Sequence, residues 1–185
     1  KEPLSVPNEV MLYLMSKQAS EYNTVIMAGE GADELFFGYD RIFRWASSAK
    51  EWNLEEFTRH YAYGAQDDYE IIDEIISPFV KKFKKPIRVV SAFFQTDHLH
   101  GLLRRLDNST MLASIEARVP FVDHTLIERL AGVSFDWKMQ NGIVKYPLKE
   151  AFHSVIPQQI IDRKKVGFPV PIELIEFNES NSIWK

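Results

Sequence analysis

Apolar positions recur every three or four residues along most of the chain, and this spacing is typical of amphipathic helices. The run Pro7-Asn8-Glu9, with Asn8 as a candidate cap, predicts the start of a first helix. Residues 24–28 differ, because their interior is continuously apolar, as in a strand that is covered on both faces. The pattern therefore predicts a mostly helical α/β chain with one or two strands.

The same spacing, with the positions of capping residues and prolines, predicts the remaining elements. Asn53 resembles the first residue of a capping box for a helix that reaches Tyr63. Ser77-Pro78 has the pattern of a cap followed by proline at the first helical position, so it predicts a new helix that Pro86 should break. The other predicted elements are helices over residues 33–49 and 87–105, a helix or turn over 107–118, a helix over 124–131, a turn over 140–143, and helices over 146–155 and 156–162, with none beyond Phe177.

The predicted strand leads directly into a glycine turn, Gly29-Glu30-Gly31-Ala32-Asp33-Glu34. A strand, a tight turn and a helix start together can present backbone N–H groups to an anion. Carboxylates in the same turn would repel a bare phosphate, so they fit beside one only where a divalent cation lies between them. The turn indicates magnesium–polyphosphate chemistry or an acid/base carboxylate, while acidic residues that simply favour a helix N-terminus would give the same pattern.

Composition excludes several classes of protein. With 185 residues, 45% of them hydrophobic and 26% charged, the chain suits one soluble globular unit, and it has no apolar run of membrane-spanning length. The absence of cysteine rules out disulfides, cysteine-bound zinc and a thiol nucleophile in this chain, and we expect a cytoplasmic protein. The net charge of −4 argues against a general nucleic-acid binder.

Together with the residues that follow it, this turn resembles the family of glutamine-hydrolysing asparagine synthetases. The resemblance begins with the turn itself and continues through Leu35-Phe36 and Gly38-Tyr39. Three more segments occur in the family's order: Glu2-Pro3 with the helix that follows; Asp107, Thr110-Met111 and Ser114-Ile115-Glu116-Ala117-Arg118-Val119-Pro120-Phe121-Val122-Asp123; and Lys145-Tyr146, Pro157 and Arg163-x-Lys165-x-Gly167-Phe168-x-x-Pro171. Two positions depart from the family's usual pattern, since Ala28 replaces a serine and Phe37 replaces a glycine.

This resemblance implies an adenine-nucleotide α-hydrolase-like fold, the PP-loop ATP pyrophosphatase fold. It also implies a two-step reaction in which ATP and aspartate give a β-aspartyl adenylate, and ammonia from glutamine then gives asparagine. ATP and Mg²⁺ are the implied cofactors. We expect neither a nucleic acid nor a membrane as partner, and we consider a homodimer as the assembly. The family's glutaminase domain and its Ser-Gly-Gly-x-Asp-Ser phosphate loop do not occur here, so we expect residues 1–185 to be the C-terminal portion of a synthetase domain that is inactive alone.

The resemblance also assigns roles to residues. Glu30 matches the candidate proton acceptor for ammonia, and Asp33 matches the carboxylate that holds magnesium on the pyrophosphate. Gly29 and Gly31 would let the nucleotide approach the backbone closely. Lys165 matches the lysine that stabilises charge during adenylation, because a compact ammonium suits a developing phosphate charge.

Four further residues are candidates for substrate contact or structural support: Glu34, Asp107, Glu116 and Arg118. For Glu116 and Arg118 we favour a buried ion pair that braces the site over a direct contact with substrate. His98, His100 and His124 lack the spacing of metal ligands and are interpreted as ordinary histidines. Two alternatives stay open: an amide-forming relative that acts on another carboxylate, in polysaccharide or natural-product modification, and a non-catalytic family member.

Overall fold

The computed structural model describes residues 8–62, 69–165 and 167. The predictions for Glu2-Pro3, for the Phe168 and Pro171 part of the last motif, and for the tail beyond Phe177 lie outside these residues. The chain divides into two compact units. The first unit contains Lys1–Ile26, Arg104–Arg118 and Arg163–Lys185, and the second contains Met27–Leu103 and Val119–Asp162.

The described residues are mostly helical, as predicted, with two short strands. The α-helices are α1 (Asn8–Ala19), α2 (Ala32–Leu35), α3 (Asp40–Ser48), α4 (Leu54–Tyr61), α5 (Tyr69–Lys82), α6 (Pro86–Phe93), α7 (Leu99–Met111), α8 (His124–Ala131), α9 (Phe135–Lys138), α10 (Tyr146–Phe152) and α11 (Gln158–Ile161). The strands are β1 (Val25–Met27) and β2 (Glu116–Arg118). A π-helix spans Phe94–His98, and 3₁₀ helices span Pro120–Val122 and Gln140–Gly142. None of the described helices combines the length and the apolar character that crossing a membrane would require.

Strands β1 and β2 pair to form a two-stranded sheet. The prediction of β1 is confirmed, but the expectation that both of its faces are covered is wrong, because Val25 is 37% exposed and Met27 is 69% exposed. Val25 and Met27 lie two apart and so point to the same face of the sheet, and that face is open to solvent. Strand β2 was predicted only as a helix or turn, since Glu116-Ala117-Arg118 has neither β-branched nor aromatic residues.

In the first unit, the side chains of Leu106 and Ile115 are buried. Helix α1 covers Asn8–Ala19 and contacts the C-terminal half of α7. The Ser109 hydroxyl donates a hydrogen bond to the backbone carbonyl of Glu9 over 3.3 Å. Contacts between residues this far apart in sequence hold α1 in place.

The second unit is built around a hydrophobic cluster that contains several aromatic rings. The buried ring of Phe37 stacks on Phe43 with 4.1 Å between ring centroids, and Phe43 contacts Phe94 at 5.3 Å. The other buried members of the cluster are Ile42, Ala46, Phe57, Ile76, Ile87, Val89, Val90 and Phe93. Aromatic pairs at these distances add stabilisation beyond the area that they bury.

Three predicted helices differ from the structure. The predicted helix over residues 33–49 is two helices, α2 and α3, separated at Phe37, whose φ of 61° lies in the left-handed region. Pro78 lies inside α5 and does not begin a helix; the Ser77 hydroxyl contacts the Glu74 carbonyl at 3.5 Å, the carbonyl that Pro78 leaves without its helical donor. The long helix over 87–105 begins at Pro86, contains the π-helix and continues through α7 to Met111.

Other predictions are confirmed within two or three residues. The Asn53 side chain caps α4 by accepting a 2.9 Å hydrogen bond from the backbone N–H of Glu56. Helix α8 spans the predicted residues and is capped by Asp123, whose carboxylate accepts from the N–H groups of Thr125 and Leu126. Helices α10 and α11 correspond to the last two predicted helices, whereas α9 was not predicted.

Candidate functional site

The glycine turn packs closely on a neighbouring segment of the second unit. Gly31 has a φ of 92°, and a Cβ atom there would lie 2.7 Å from Cγ2 of Val122. Both the left-handed backbone and the lack of space require glycine at this position. Gly29 is different, because a Cβ atom there would meet nothing within 4 Å, so the described residues leave open space beside it.

Asp33 and Lys145 form an ion pair beside this turn. The Lys145 ammonium lies 2.8 Å from Oδ1 of Asp33, and the two side chains are 29% and 24% exposed. The backbone N–H of Lys145 donates to the carbonyl of Phe36 over 3.0 Å, which fixes the start of α10 against the end of α2. Lys145 has a φ of 55°, so its backbone also adopts the less favourable left-handed conformation.

Gly38 provides the space for this pair. A Cβ atom at Gly38 would lie 1.7 Å from Oδ1 of Asp33 and 2.3 Å from Cε of Lys145. The backbone N–H of Gly38 also donates to the Asp33 carbonyl over 2.8 Å. Glycine at this position therefore lets the carboxylate and the ammonium meet.

The side chain of Glu34 is buried, whereas that of the preceding residue, Asp33, is partly exposed. Glu34 is 1% exposed, and its Oε1 accepts a 2.5 Å hydrogen bond from the Tyr39 hydroxyl. Burial raises the pKa of the Glu34 carboxyl above its ordinary value, and the hydrogen bond from Tyr39 opposes that shift in part. The predicted supporting role fits this position, although the partner is a phenol.

Glu30 lies at the tip of the turn and is half-buried. The structure thus brings together Glu30, Asp33 and the two glycines of the turn, and it adds Lys145. A cavity of about 340 Å³ in the second unit lies elsewhere, lined by Phe57, Tyr61, Ile72, Ile75, Ile76, Phe93, Asp97 and His98.

The remaining candidates belong to the first unit. Glu116 and Arg118 do form an ion pair, with 2.9 Å between Oε1 and Nε, but the expectation that it is buried is wrong, because the side chains are 59% and 62% exposed. The two residues lie two apart on β2, so they point to the same face, and that face is open. Asp107 is exposed on α7, and Lys165 is exposed near the end of the described chain, so the role assigned to Lys165 stays a prediction.

Within the described residues, no group of three or more histidine or acidic side chains is arranged to hold a metal ion. A magnesium ion bound to a polyphosphate takes one or two protein carboxylates and fills its other positions with phosphate oxygens and water. A carboxylate has two oxygens with about four lone-pair sites, so Asp33 can bind Lys145 and such an ion together. The donor set therefore fits this type of magnesium site.

Comparison with known proteins identifies the family. The sequence profile described as "Asparagine synthase" matches residues 1–181. The chain belongs to the asparagine synthase family. No solved structure matches the chain.

Curated relatives in this family come from distant organisms. The chain is 30% identical to asparagine synthetase [glutamine-hydrolyzing] 1 of Bacillus subtilis, in an alignment that covers 97% of the chain and 36% of the relative. It is 28% identical to the asparagine synthetase [glutamine-hydrolyzing] of Bos taurus, over 89% of the chain and 24% of the relative. The chain thus spans roughly a quarter to a third of the length of these relatives.

Two side chains in the second unit were not identified from the sequence. Lys145 was noted only as part of the family resemblance, since its contact with Asp33 joins residues far apart in the chain. His98 was interpreted as ordinary, yet its ring nitrogens lie 3.3 Å from the Tyr39 hydroxyl and 3.2 Å from the Tyr61 hydroxyl. Local spacing does not predict the contacts of His98, because they join residues far apart in the sequence. Of these residues, only Tyr39 belonged to the family resemblance.

Proposed function

We propose that this chain contributes the second half of the active site of an ATP-dependent ligase that converts aspartate to asparagine through a β-aspartyl adenylate, with ammonia from glutamine. In this proposal residues 1–185 are the C-terminal portion of a synthetase domain with the PP-loop ATP pyrophosphatase fold. The glutaminase domain and the phosphate loop lie in the rest of a protein comparable in length to the relatives.

The observation that carries the proposal is the Asp33–Lys145 pair at the glycine turn of an asparagine synthase family member. A carboxylate is a poor electrophile, and adenylation gives it a good leaving group. Positive charge placed beforehand near the phosphates lowers the barrier to this step. Asp33 holds the Lys145 ammonium in place, and a compact ammonium suits the charge that develops on a phosphate oxygen.

Three other residues have defined tasks in the proposal. Gly29 leaves room for the nucleotide beside the backbone. Magnesium, when bound, would neutralise charge on the polyphosphate, and Asp33 would hold it. Glu30, half-buried at the tip of the turn, would orient ammonia and accept a proton as the new C–N bond forms.

Aspartate-dependent release of pyrophosphate from ATP by the full-length protein tests the proposal. We expect Lys145→Met to lower kcat on the order of 100-fold, because removal of one preorganised charge-stabilising donor has an effect of this size. Lys164→Ala, which removes an exposed lysine, is the control and should stay within about twofold of wild type. Lys165→Ala should also lower pyrophosphate exchange strongly, and an unchanged rate would remove Lys165 from the mechanism.

The substrate is tested in the same assay. Release of pyrophosphate with another carboxylate and none with aspartate would favour the amide-forming relative that modifies a different acid. No release with any carboxylate from a folded full-length protein would favour a non-catalytic family member. Wild-type turnover in Lys145→Met would contradict the assignment of Asp33 and Lys145 to the site.

A further inference from the structure

A chain of hydrogen-bonding side chains runs from Tyr61 to Glu34 in the second unit. The Tyr61 hydroxyl lies 3.2 Å from Nδ1 of His98, and Nε2 of His98 lies 3.3 Å from the Tyr39 hydroxyl. Tyr39 in turn donates to Oε1 of Glu34 over 2.5 Å. Glu34 directly follows Asp33, so one end of this chain lies beside the candidate site.

The contacts fix the direction of donation for a neutral imidazole. The Tyr39 hydroxyl uses its hydrogen for the carboxylate of Glu34, so it accepts from His98, and Nε2 of His98 carries the hydrogen. Nδ1 of His98 is then an acceptor, and the Tyr61 hydroxyl donates to it. A single tautomer therefore satisfies all three contacts.

The π-helix places His98 in this chain. In a regular α-helix, Phe93 and His98 would point about 140° apart, since each residue turns the helix by about 100°. In the structure their ring centroids are 6.2 Å apart, because the π-helical turn brings positions five apart onto one face. The rings of Tyr39 and Phe94 hold the imidazole at centroid distances of 5.3 Å and 4.5 Å.

Helix α2 needs support of this kind. It has four residues, and its N-cap, Gly31, offers no side chain to the first N–H groups. Isolated helices of this length are unstable, so tertiary contacts decide whether α2 holds its shape. The part-buried Glu34–Tyr39 hydrogen bond is a tertiary contact of that type, and the Tyr39 hydroxyl also contacts Nε2 of His98.

We propose that His98 is a positioning residue, which acts through Tyr39 and Glu34 to hold α2 and the turn that presents Glu30 and Asp33. The proposal rests on the proposed function for its kinetic consequence. Its structural consequence, the stability of α2, stands independently of that function.

Four single variants of the full-length protein, and the double variant of His98→Leu with Tyr39→Phe, test the proposal. His98→Leu and Tyr39→Phe each remove one link of the chain and retain an apolar side chain. His98→Gln is the conservative variant, because a glutamine amide can donate from its nitrogen and accept at its oxygen. His100→Leu is the matched control, since His100 is an exposed histidine two residues further along.

We expect His98→Leu and Tyr39→Phe to lower kcat for pyrophosphate release on the order of 10-fold, since small displacements of site residues have effects of this size or larger. His98→Gln should stay within about threefold of wild type, and His100→Leu should match wild type. The double variant His98→Leu/Tyr39→Phe should lose no more kcat than either single variant, because both changes break the same chain of hydrogen bonds. If the kcat losses of the two single variants multiply in the double variant, His98 does not act through Tyr39. Wild-type kcat in a folded His98→Leu protein would overturn the proposal.

Hydrogen exchange provides a readout that needs no turnover. The backbone N–H groups of Leu35 and Phe36 donate within α2 to the carbonyls of Gly31 and Ala32. In His98→Leu we expect these amides to exchange on the order of 10-fold faster, with no change in His100→Leu. Equal protection in wild type and His98→Leu would refute the positioning role. If the wild-type protein releases no pyrophosphate, the proposed function fails, and this measurement still decides the present inference.

Discussion

Phe37 shows how a single residue can depart from its family and remain compatible with the fold. The family resemblance led us to expect glycine here, and the φ of 61° explains why glycine suits the position. Phe37 adopts the same backbone conformation and has a fully buried side chain, stacked between Phe43 and Phe135. The left-handed backbone costs about 1–2 kcal/mol, whereas a buried phenylalanine contributes about 3–5 kcal/mol. Burial therefore outweighs strain.

The comparison of Phe37→Ala with Phe37→Gly separates the two effects. We expect Phe37→Ala to lower the free energy of unfolding by about 3–5 kcal/mol, because it opens a cavity among the stacked rings. Phe37→Gly should be about 0.5–1 kcal/mol more stable than Phe37→Ala, since glycine adopts the left-handed conformation without strain. Urea unfolding measures both values. Equal stability of the two variants would argue against backbone strain at this position.

At the residue scale, local spacing groups Glu30 with Asp33 but does not point to the contact of Asp33 with Lys145. Glu30 and Asp33 lie in one short turn, so their proximity follows from their spacing. Lys145 reaches Asp33 only because α10 packs against the end of α2, a tertiary contact that local spacing does not encode. The predicted burial of Glu116 and Arg118 failed because their pairing says nothing about which face of β2 is covered.

At the scale of elements, local signals were reliable where local energies decide the structure. Asn53 and Asp123 cap α4 and α8 because a side-chain oxygen satisfies nearby N–H groups wherever the helix lies. Pro78 shows the opposite case, since contacts of α5 keep a helix continuous across a residue that would otherwise begin one. The π-helix could not be predicted either, because the pattern over residues 87–105 fits a regular helix.

Helix α9 ends in Lys138, and burial disfavours the charged form of this lysine. Lys138 is 2% exposed, and its ammonium lies 5.4 Å from the centroid of the Phe37 ring. Burial lowers the pKa of Lys138 from 10.5 to about 8. Below pH 8 Lys138 is protonated in both the folded and the unfolded state, and the folded state carries the full desolvation cost of the buried ammonium. Between pH 8 and 10.5 the unfolded state binds more protons, so stability rises with pH.

Lys138→Met tests this effect. We expect the variant to be more stable than wild type at pH 7 by roughly 1–3 kcal/mol, because it removes the buried charge and loses one cation–π contact. The difference should shrink between pH 8 and 10.5, as the wild-type lysine loses its proton. Thermal and urea unfolding at several pH values measure the difference, with the exposed Lys84→Met as control. A difference that does not change over this pH range would show that Lys138 stays charged in the folded state.

At the scale of the whole molecule, some candidate site residues belong to the second unit and others to the first. Glu30, Asp33 and Lys145 lie in the second unit, and Asp107 and Lys165 lie in the first. The relatives named as glutamine-hydrolysing asparagine synthetases are roughly three to four times as long as the part that this chain matches. The proposed reaction needs positive charge around a pyrophosphate leaving group, and in that proposal the Lys145 ammonium, which Asp33 binds, would supply part of it.

The chain alone should therefore release no pyrophosphate from ATP and aspartate above background, whereas the full-length protein should release it. We also expect ATP with magnesium to raise the unfolding temperature of the full-length protein and to leave that of the 185-residue chain unchanged, because a ligand stabilises only the folded state that binds it. Calorimetry and a coupled pyrophosphate assay measure the two effects. Turnover by the chain alone would show that residues 1–185 hold every group that the reaction requires, and the proposed division of the active site would then be wrong.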